Sequence, residues 1–474
     1  MLESIRQFIS LNRELSRGAY AAIGVVLMAI KYNIDRLVAV MTFDEPWTPI
    51  RYLAPADDQS LMQLTSADQT FFGVMLAISL PFILVGIWLT VRRLRSIGLP
   101  EWLVAFFFVP VVNLLLFVTL SVLPSGLRPR DGDGSDEDGD DEPTGLLDRM
   151  VPNGALGSAA MALVITVPPG IIVLLFGIEY MAVYGWGLFV GLPFVIGMTS
   201  VLLYGYSERR GYLSSMGVAT LSMCLFGGLL IVLAIEGLIC IFMAGPIGVA
   251  LALMGGTVGF LIQRTFLSGP TTTMLVVSTF ALVPLIMGVE GVEDRTPPLT
   301  PIETSVTIDA PPQVVWDHVV DFGQLPPPEH WIFKTGIAYP THAEMKGEGE
   351  GAVRYCHFST GPFVEPIHTW DEPHRLAFDV EEQPPSMEEL TPFETIDAPH
   401  IDDFLVSERG EFLLEELPDG GTKLTGTTWY RHHIWPVSYW KLWSDEVIHR
   451  IHLRVLNHVK NSAEAHVEDN REAI

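Results

Sequence analysis

No histidine precedes residue 296; all 13 lie in the remainder of a 474-residue chain. Basic residues are few, 28 Lys and Arg against 55 Asp and Glu, which leaves a formal net charge of −27. Cysteine is rarer still, at three. Each shortage excludes something. A nucleic-acid binder needs a basic footprint, and there is none. A domain held to anionic lipid by charge alone is excluded for the same reason. Cys224 and Cys240 lie in apolar runs, so Cys356 stands alone in the polar part. Neither an intrachain disulfide framework nor a thiolate metal cluster can be built there.

What is present divides sharply. Residues 296–474 carry 12 basic and 31 acidic residues, and the run Asp131–Glu142 adds eight acids and no base. The rest of the chain is balanced, at 16 of each sign. A neutral apolar part is therefore followed by an acidic, histidine-bearing polar part.

The apolar part contains charge-free runs long enough to cross a bilayer, which takes about 20 residues. They are Phe72–Val91, Trp102–Leu123, Gly154–Ile178, Met181–Ser207, Gly211–Ile235 and Gly237–Gln263. Met274–Val289 is shorter, and Gly18–Ile30 makes a first span when continued through Lys31, Asp35 and Arg36 to Phe43. The expected total is eight spans. Glycine pairs at Gly227-Gly228 and Gly255-Gly256 suit close helix packing. Glu236 is the one ionisable candidate for a transport path, and it reads better as part of a turn, Glu236-Gly237, between two helices. The stretch before the first span mixes Arg6, Arg13 and Glu14 into an amphipathic segment without a signal-peptide pattern.

Arginines at 6, 13 and 17 and the run Arg92-Arg93-Leu94-Arg95 mark the cytoplasmic side. Eight spans counted from there put the polar domain in the cytoplasm. Glu208-Arg209-Arg210 and the acidic exit Glu290–Asp294 run against that placement.

The segment Asn12-Arg13-Glu14-Leu15-Ser16-Arg17-Gly18-Ala19-Tyr20 and the loop Arg92-Arg93-Leu94-Arg95-Ser96-Ile97-Gly98-Leu99-Pro100-Glu101-Trp102, followed by Pro110 and Asn113, form a recognisable set. They resemble the bacterial inner-membrane family known as domain of unknown function 805. Arg95 stands where that family usually has histidine, and Asn12 where it has glycine. The resemblance implies a bacterial inner-membrane setting and carries no chemistry with it.

The polar part has a different rhythm. Ser305–Asp309 alternates as a strand does, and Ala310-Pro311-Pro312 opens a helix with Val314, Val315 and Val319 at helical spacing. Strand-like runs follow near Val353–Phe358, Ile367–Trp370, Leu376–Val380, Phe404–Ser407, Gly410–Leu417 and Thr422–Tyr430, with Pro418-Asp419-Gly420-Gly421 as a hairpin turn. A long helix runs from Pro436 to Lys460. This order, with the segments VTIDAPPQVVWDHVVDF, GEGEGAVRYCHFSTGPFVEPI, WDEPHRLAFDV and GGTKLTGTTWY, resembles the SRPBCC or START-like superfamily, polyketide cyclases included. The resemblance implies a helix-grip fold with an apolar pocket between sheet and terminal helix.

The expected architecture is thus a multi-domain chain, an α-helical multipass membrane region followed by an α+β helix-grip domain. Residues 1–124 form a first membrane block, 125–150 an acidic linker and 151–290 a second block. A Pro-rich linker at 291–303 leads to the START-like domain at 304–465, and a tail occupies 466–474. Pocket candidates are Trp440, Trp443, Val447 and Ile451 on one helix face, and Trp370, Phe378 and Trp429 on strands. Arg409 and Tyr430 join them, with Arg354, Glu365, His368 and His433 as further polar groups facing the pocket. Glu365 and His368, three apart on a strand, point to opposite faces and make no catalytic pair. His449 and His452, with Asp445, have the spacing to share a metal, but read better as a solvated or interfacial face. No cofactor, metal or catalytic residue is assigned. The expected partners are membrane lipids and a hydrophobic small molecule, with a cyclase-type enzyme and a ligand-responsive sensor or scaffold as alternatives.

Overall fold

A bilayer offers backbone amides no partners, so a chain crossing it folds as helices. The computed structural model describes residues 15–44, 47, 66–108, 112–123, 147, 151–152, 154–181, 184–265, 269–292, 296–391, 401 and 405–472. Nearly all of the acidic linker lies outside these. By its contacts the chain divides into two units. One is Met1–Leu230 with Ala244–Asp294, and the other is Ile231–Met243 with Arg295–Ile474.

The first unit contains helices α1 (Arg17–Phe43), α2 (Ser66–Ile97), α3 (Val112–Val122), α4 (Ala155–Leu175) and α5 (Leu192–Tyr204). It continues with α6 (Tyr212–Val232), α7 (Leu238–Thr265) and α8 (Gly269–Glu290), the ends of α6 and α7 belonging to the second unit. Among the described residues six helical segments are long and apolar enough to cross a membrane. These are Thr70–Ile97, Ala155–Ile178, Gly187–Tyr204, Tyr212–Val232, Leu238–Arg264 and Thr271–Glu290. The protein is a multipass membrane protein, and the expected eight spans are corrected to six.

Two runs account for the difference. The run expected as one span from Trp102 to Leu123 divides into a 3-10 helix, Glu101–Phe108, and the 11-residue α3. Eleven residues reach about 16 Å, half a hydrocarbon core. Helix α1 is long enough, but Lys31, Asp35 and Arg36 lower its hydropathy, and Lys31 pairs with a fully buried Asp35.

The arginine run at the end of α2 is also not the exposed loop expected. Arg92 and Arg93 are buried. Arg93 donates to the carbonyls of Leu15 at 2.7 Å and Leu120 at 3.0 Å, and to that of Leu123. Only Arg95 faces outward, paired with Glu101 at 2.7 Å. One helix contact follows from glycine as anticipated: a Cβ on Gly255 would sit 2.0 Å from the Phe194 carbonyl oxygen, and one on Gly197 1.9 Å from that of Ala252. Helices α5 and α7 therefore touch backbone to backbone. Gly228, by contrast, faces open space.

The second unit is built on a seven-stranded antiparallel sheet, ordered β1-β7-β6-β5-β4-β3-β2. Its strands are β1 (Thr300–Ile308), β2 (Pro340–Lys346), β3 (Val353–Phe358), β4 (Gly361–Asp371), β5 (Arg375–Asp379), β6 (Leu405–Glu416) and β7 (Thr422–His432). Helix α9 (Pro312–Val320) follows β1, and α10 (Val437–Glu472) ends the chain's described part. This is the helix-grip fold. Strand β1 begins at Thr300, inside the stretch expected as linker. Pro301 is tolerated because β1 is an edge strand with its other side unpaired. The two expected strands around Phe404–Ser407 and Gly410–Leu417 are one strand, bulged between Ser407 and Arg409. Strand β2 went unread, because Pro340–Lys346 mixes polar and apolar residues without clear alternation. The β6–β7 turn is as expected, with Gly420 at φ +84° and the Gly421 amide donating to Asp419 Oδ1 at 3.1 Å.

Helix α10 holds the sheet because its apolar residues recur at helical spacing. Val455, Leu456, Val459 and Ala463 pack on Ile308, Leu376, Leu414 and Leu424 in one core. The helix passes Lys460 and is regular to Glu472, so most of the expected tail is helical. Ile231–Met243 adds to this unit: Ile239 packs with Ile332, Phe333, Ile337 and Val447, and the Leu238 amide donates to the Leu390 carbonyl at 3.1 Å. Glu236 lies in the turn between α6 and α7, as read from the sequence.

Candidate functional site: an apolar cavity under the terminal helix

Between the inner face of the sheet and α10 lies a cavity enclosing about 1080 Å³ of empty space, its open mouth included. Strands β3 to β7 form its wall through their inward residues, among them Cys356, Phe358, Phe363, Phe378 and Phe412. Helix α10 contributes Val447, Ile448, Ile451, His452, Val455 and Leu456. These α10 positions recur every three or four residues, so one stripe of the helix forms the opposite side.

One ion pair is sunk into this apolar surface. Arg354 on β3 and Glu365 on β4 are cross-strand partners, with Arg354 Nη1 2.6 Å from Glu365 Oε2. Both are buried. The guanidinium lies 5.3–5.5 Å from the ring centres of Phe322, Phe378 and Phe412. Burial opposes the Arg354 charge, but Glu365, with smaller help from Cys356 and Asp321, holds its pKa above the ordinary value. Burial raises the Glu365 carboxyl against the opposing attraction of Arg354. Arg354 Nε, also buried, makes no hydrogen bond among the described residues. Burial pushes the neighbouring Cys356 thiol up to about 12, so it is an inert cavity wall rather than a nucleophile.

The candidates from sequence separate into two groups. Phe378, Arg409, Val447 and Ile451 line the cavity, as do Arg354 and Glu365. Trp370, Trp429, Tyr430, Trp440 and Trp443 lie around it rather than on it. Trp370 packs edge-on against Trp316 at 5.5 Å, and Trp429 carries the Arg409 guanidinium 4.6 Å above its ring. Tyr430 is fully buried, its hydroxyl bonded to Ser444 at 3.1 Å and to Asp445 on α10. Burial and Asp445 raise its pKa well above the usual phenol value. Trp440 stacks near His432, and Trp443 meets Phe242 edge-on at 5.9 Å.

Glu365 is buried while His368 is exposed, as their spacing required. The helix pair His449 and His452 is interfacial. His449 Nδ1 lies 2.8 Å from Thr304 Oγ1, and His452 Nε2 lies 2.8 Å from Thr428 Oγ1. Asp445 instead accepts from Tyr430, so the three do not converge on a metal. His452, read from the sequence as part of a solvated or interfacial face rather than a metal ligand, lines the cavity. Burial, with His449 adding, lowers its pKa to about 4, so it is neutral at physiological pH. Phe358, Phe363 and Phe412 were missed. Alternation along β3 marks Phe358 together with Arg354 and Cys356, but the bulge in β6 hides Phe412.

Among solved structures, the Zhui aromatase/cyclase from Streptomyces sp. R1128 is 19% identical and covers 36% of this chain and 96% of its own, with a TM-score of 0.25. A norcoclaurine synthase point mutant from Thalictrum flavum is 11% identical over 36% and 99%, TM-score 0.25. A protein from Nitrosospira multiformis is 15% identical over 36% and 99%, TM-score 0.24. No curated protein matches the chain. Residues 8–130 match the family described as protein of unknown function (DUF805), and residues 300–396 match the family described as polyketide cyclase/dehydrase and lipid transport.

Proposed function

We propose that this protein is a membrane-anchored carrier or receptor whose helix-grip domain binds a hydrophobic small molecule or lipid beside the bilayer. The observation that carries it is the cavity itself, apolar and aromatic, with polarity concentrated at a few positions. Arg354 Nε–H supplies a buried donor for an acceptor on an otherwise apolar ligand, and Glu365 keeps the guanidinium oriented. The setting is a bacterial cytoplasmic membrane, in keeping with the match to the first membrane block.

Native mass spectrometry of the full chain released from detergent tests the reading. A hydrophobic adduct is expected on the wild type and is expected to be lost with Ser407→Trp, which fills the cavity from β6. Absence of any adduct across lipid extracts, or an adduct indifferent to that substitution, would sink it.

A further inference from the structure

The geometry points to a divalent transition-metal site formed by His342, Glu344 and His357 on the outer face of the β2–β3 pair. Strand register brings these residues together. His342 on β2 is the cross-strand partner of His357 on β3, and Glu344 follows two residues later on the same face. The intervening Ala343 and its partner Cys356 are buried on the other side of the sheet, where Cys356 lines the cavity. The two imidazoles stack with centres 4.2 Å apart and planes 3° from parallel. One donor atom from each of the three residues lies within 4.8 Å of the others, and His342 Nε2 is 3.8 Å from Glu344 Oε1.

The Thr341 hydroxyl favours the form of His342 that a metal needs. The Thr341 hydroxyl donates to the His357 carbonyl at 3.1 Å. Its oxygen is then an acceptor for Nδ1–H of His342, 3.0 Å away. A proton on Nδ1 leaves the lone pair on Nε2, the nitrogen turned to Glu344. The Gln324 side-chain amide nitrogen stands 3.1 Å from the same Nδ1, where it would donate, so the tautomer a metal needs requires the amide to make a half-turn and present its oxygen instead. Lys346, the next residue on this face, is held over the Tyr355 ring at 4.2 Å.

Two imidazoles and one carboxylate suit zinc and its neighbours rather than calcium or magnesium, which prefer oxygen alone. Tetrahedral zinc with bonds of about 2.0–2.1 Å holds its donors about 3.3 Å apart, so the three must draw in by about an ångström. Glu344, 61% exposed, is free to do so, and the imidazoles converge by turning out of their stack. Three protein ligands leave the fourth position to solvent. The consequence is structural. Strand β2 is the edge of the sheet, and a metal would fasten it to β3, whose inner face forms cavity wall.

The test is titration of the full chain in detergent, without a histidine tag and stripped by chelator, with Co²⁺ and then Zn²⁺. One equivalent of Co²⁺ is expected to give visible ligand-field absorption, displaced by Zn²⁺. His342→Ala and His357→Ala are expected to weaken binding at least tenfold, and Thr341→Val about tenfold. His368→Ala, on exposed β4 surface, is expected to change nothing. Equal affinity in wild type and His357→Ala overturns the site. Should a histidine variant fail to fold, the wild-type Co²⁺ spectrum decides, since no one-to-one absorption overturns the site by itself.

Discussion

Arg354 and Glu365 meet across β3 and β4 at 2.6 Å, both buried in the wall of a largely apolar cavity. Two charges in such a place stabilise little by their attraction, yet each is costly without the other. Glu365→Ala is therefore expected to lose about 3–5 kcal/mol, read as a lower thermal midpoint of the full chain. The double change Arg354→Met with Glu365→Leu is expected to recover most of that loss. It should also abolish the ligand adduct if Arg354 contributes a bond to the ligand.

His452 sets an acid limit on the helix-grip domain. Its folded pKa of about 4 lies below the ordinary 6.5, so the unfolded state takes up a proton first as pH falls. The part of the stability that His452 governs is expected to be complete above about pH 6.5 and to be lost progressively down to about pH 4, by about 3 kcal/mol in all. His452→Gln is expected to flatten that slope in melting curves taken across the interval. An unchanged slope would show that other groups set it.

Gly410 controls the width of the cavity. A methyl group there would lie 2.7 Å from Cζ of Phe378, so the ring would have to move into the cavity it lines. Gly410→Ala is expected to cost about 1–3 kcal/mol and to reduce the ligand adduct in native mass spectra. The same stability loss with undiminished adduct would place the displaced ring elsewhere.

Tyr430 ties β7 to α10 through Ser444 and Asp445 and does not line the cavity. Tyr430→Phe is expected to lower the melting midpoint, at a cost of about 1–3 kcal/mol, and to leave ligand occupancy intact. Occupancy lost at constant stability would contradict this placement.

Arg93 serves three carbonyls at once, those of Leu15, Leu120 and Leu123. Lysine lacks the planar fork that reaches them together. Arg93→Lys is expected to destabilise the first unit by about 1–3 kcal/mol for each carbonyl left unpaired, measured by thermal inactivation in detergent. Arg95→Gln, which removes only an exposed pair, is expected to be near neutral.

Composition and periodicity by themselves determined that the chain is part membrane and part acidic domain of strands and a long terminal helix, and the family resemblance supplied the helix-grip fold. Long charge-free runs have few other stable uses, and alternating strands before a long amphipathic helix strongly constrain topology. Phe378, Val447 and Ile451 were legible as cavity positions because strand and helix periods assign faces directly. What only the tertiary structure decided depends on relations between segments. Trp440 and Trp443 share the helix stripe with Val447 yet lie off the cavity, because the stripe runs further along the helix than the cavity does. Arg93 looked like a solvent charge, but α3 and Leu15 present carbonyls that hold it in a buried place. The Arg354–Glu365 pair and the His342–His357 stack exist only through strand register, which the one-dimensional order of residues does not state.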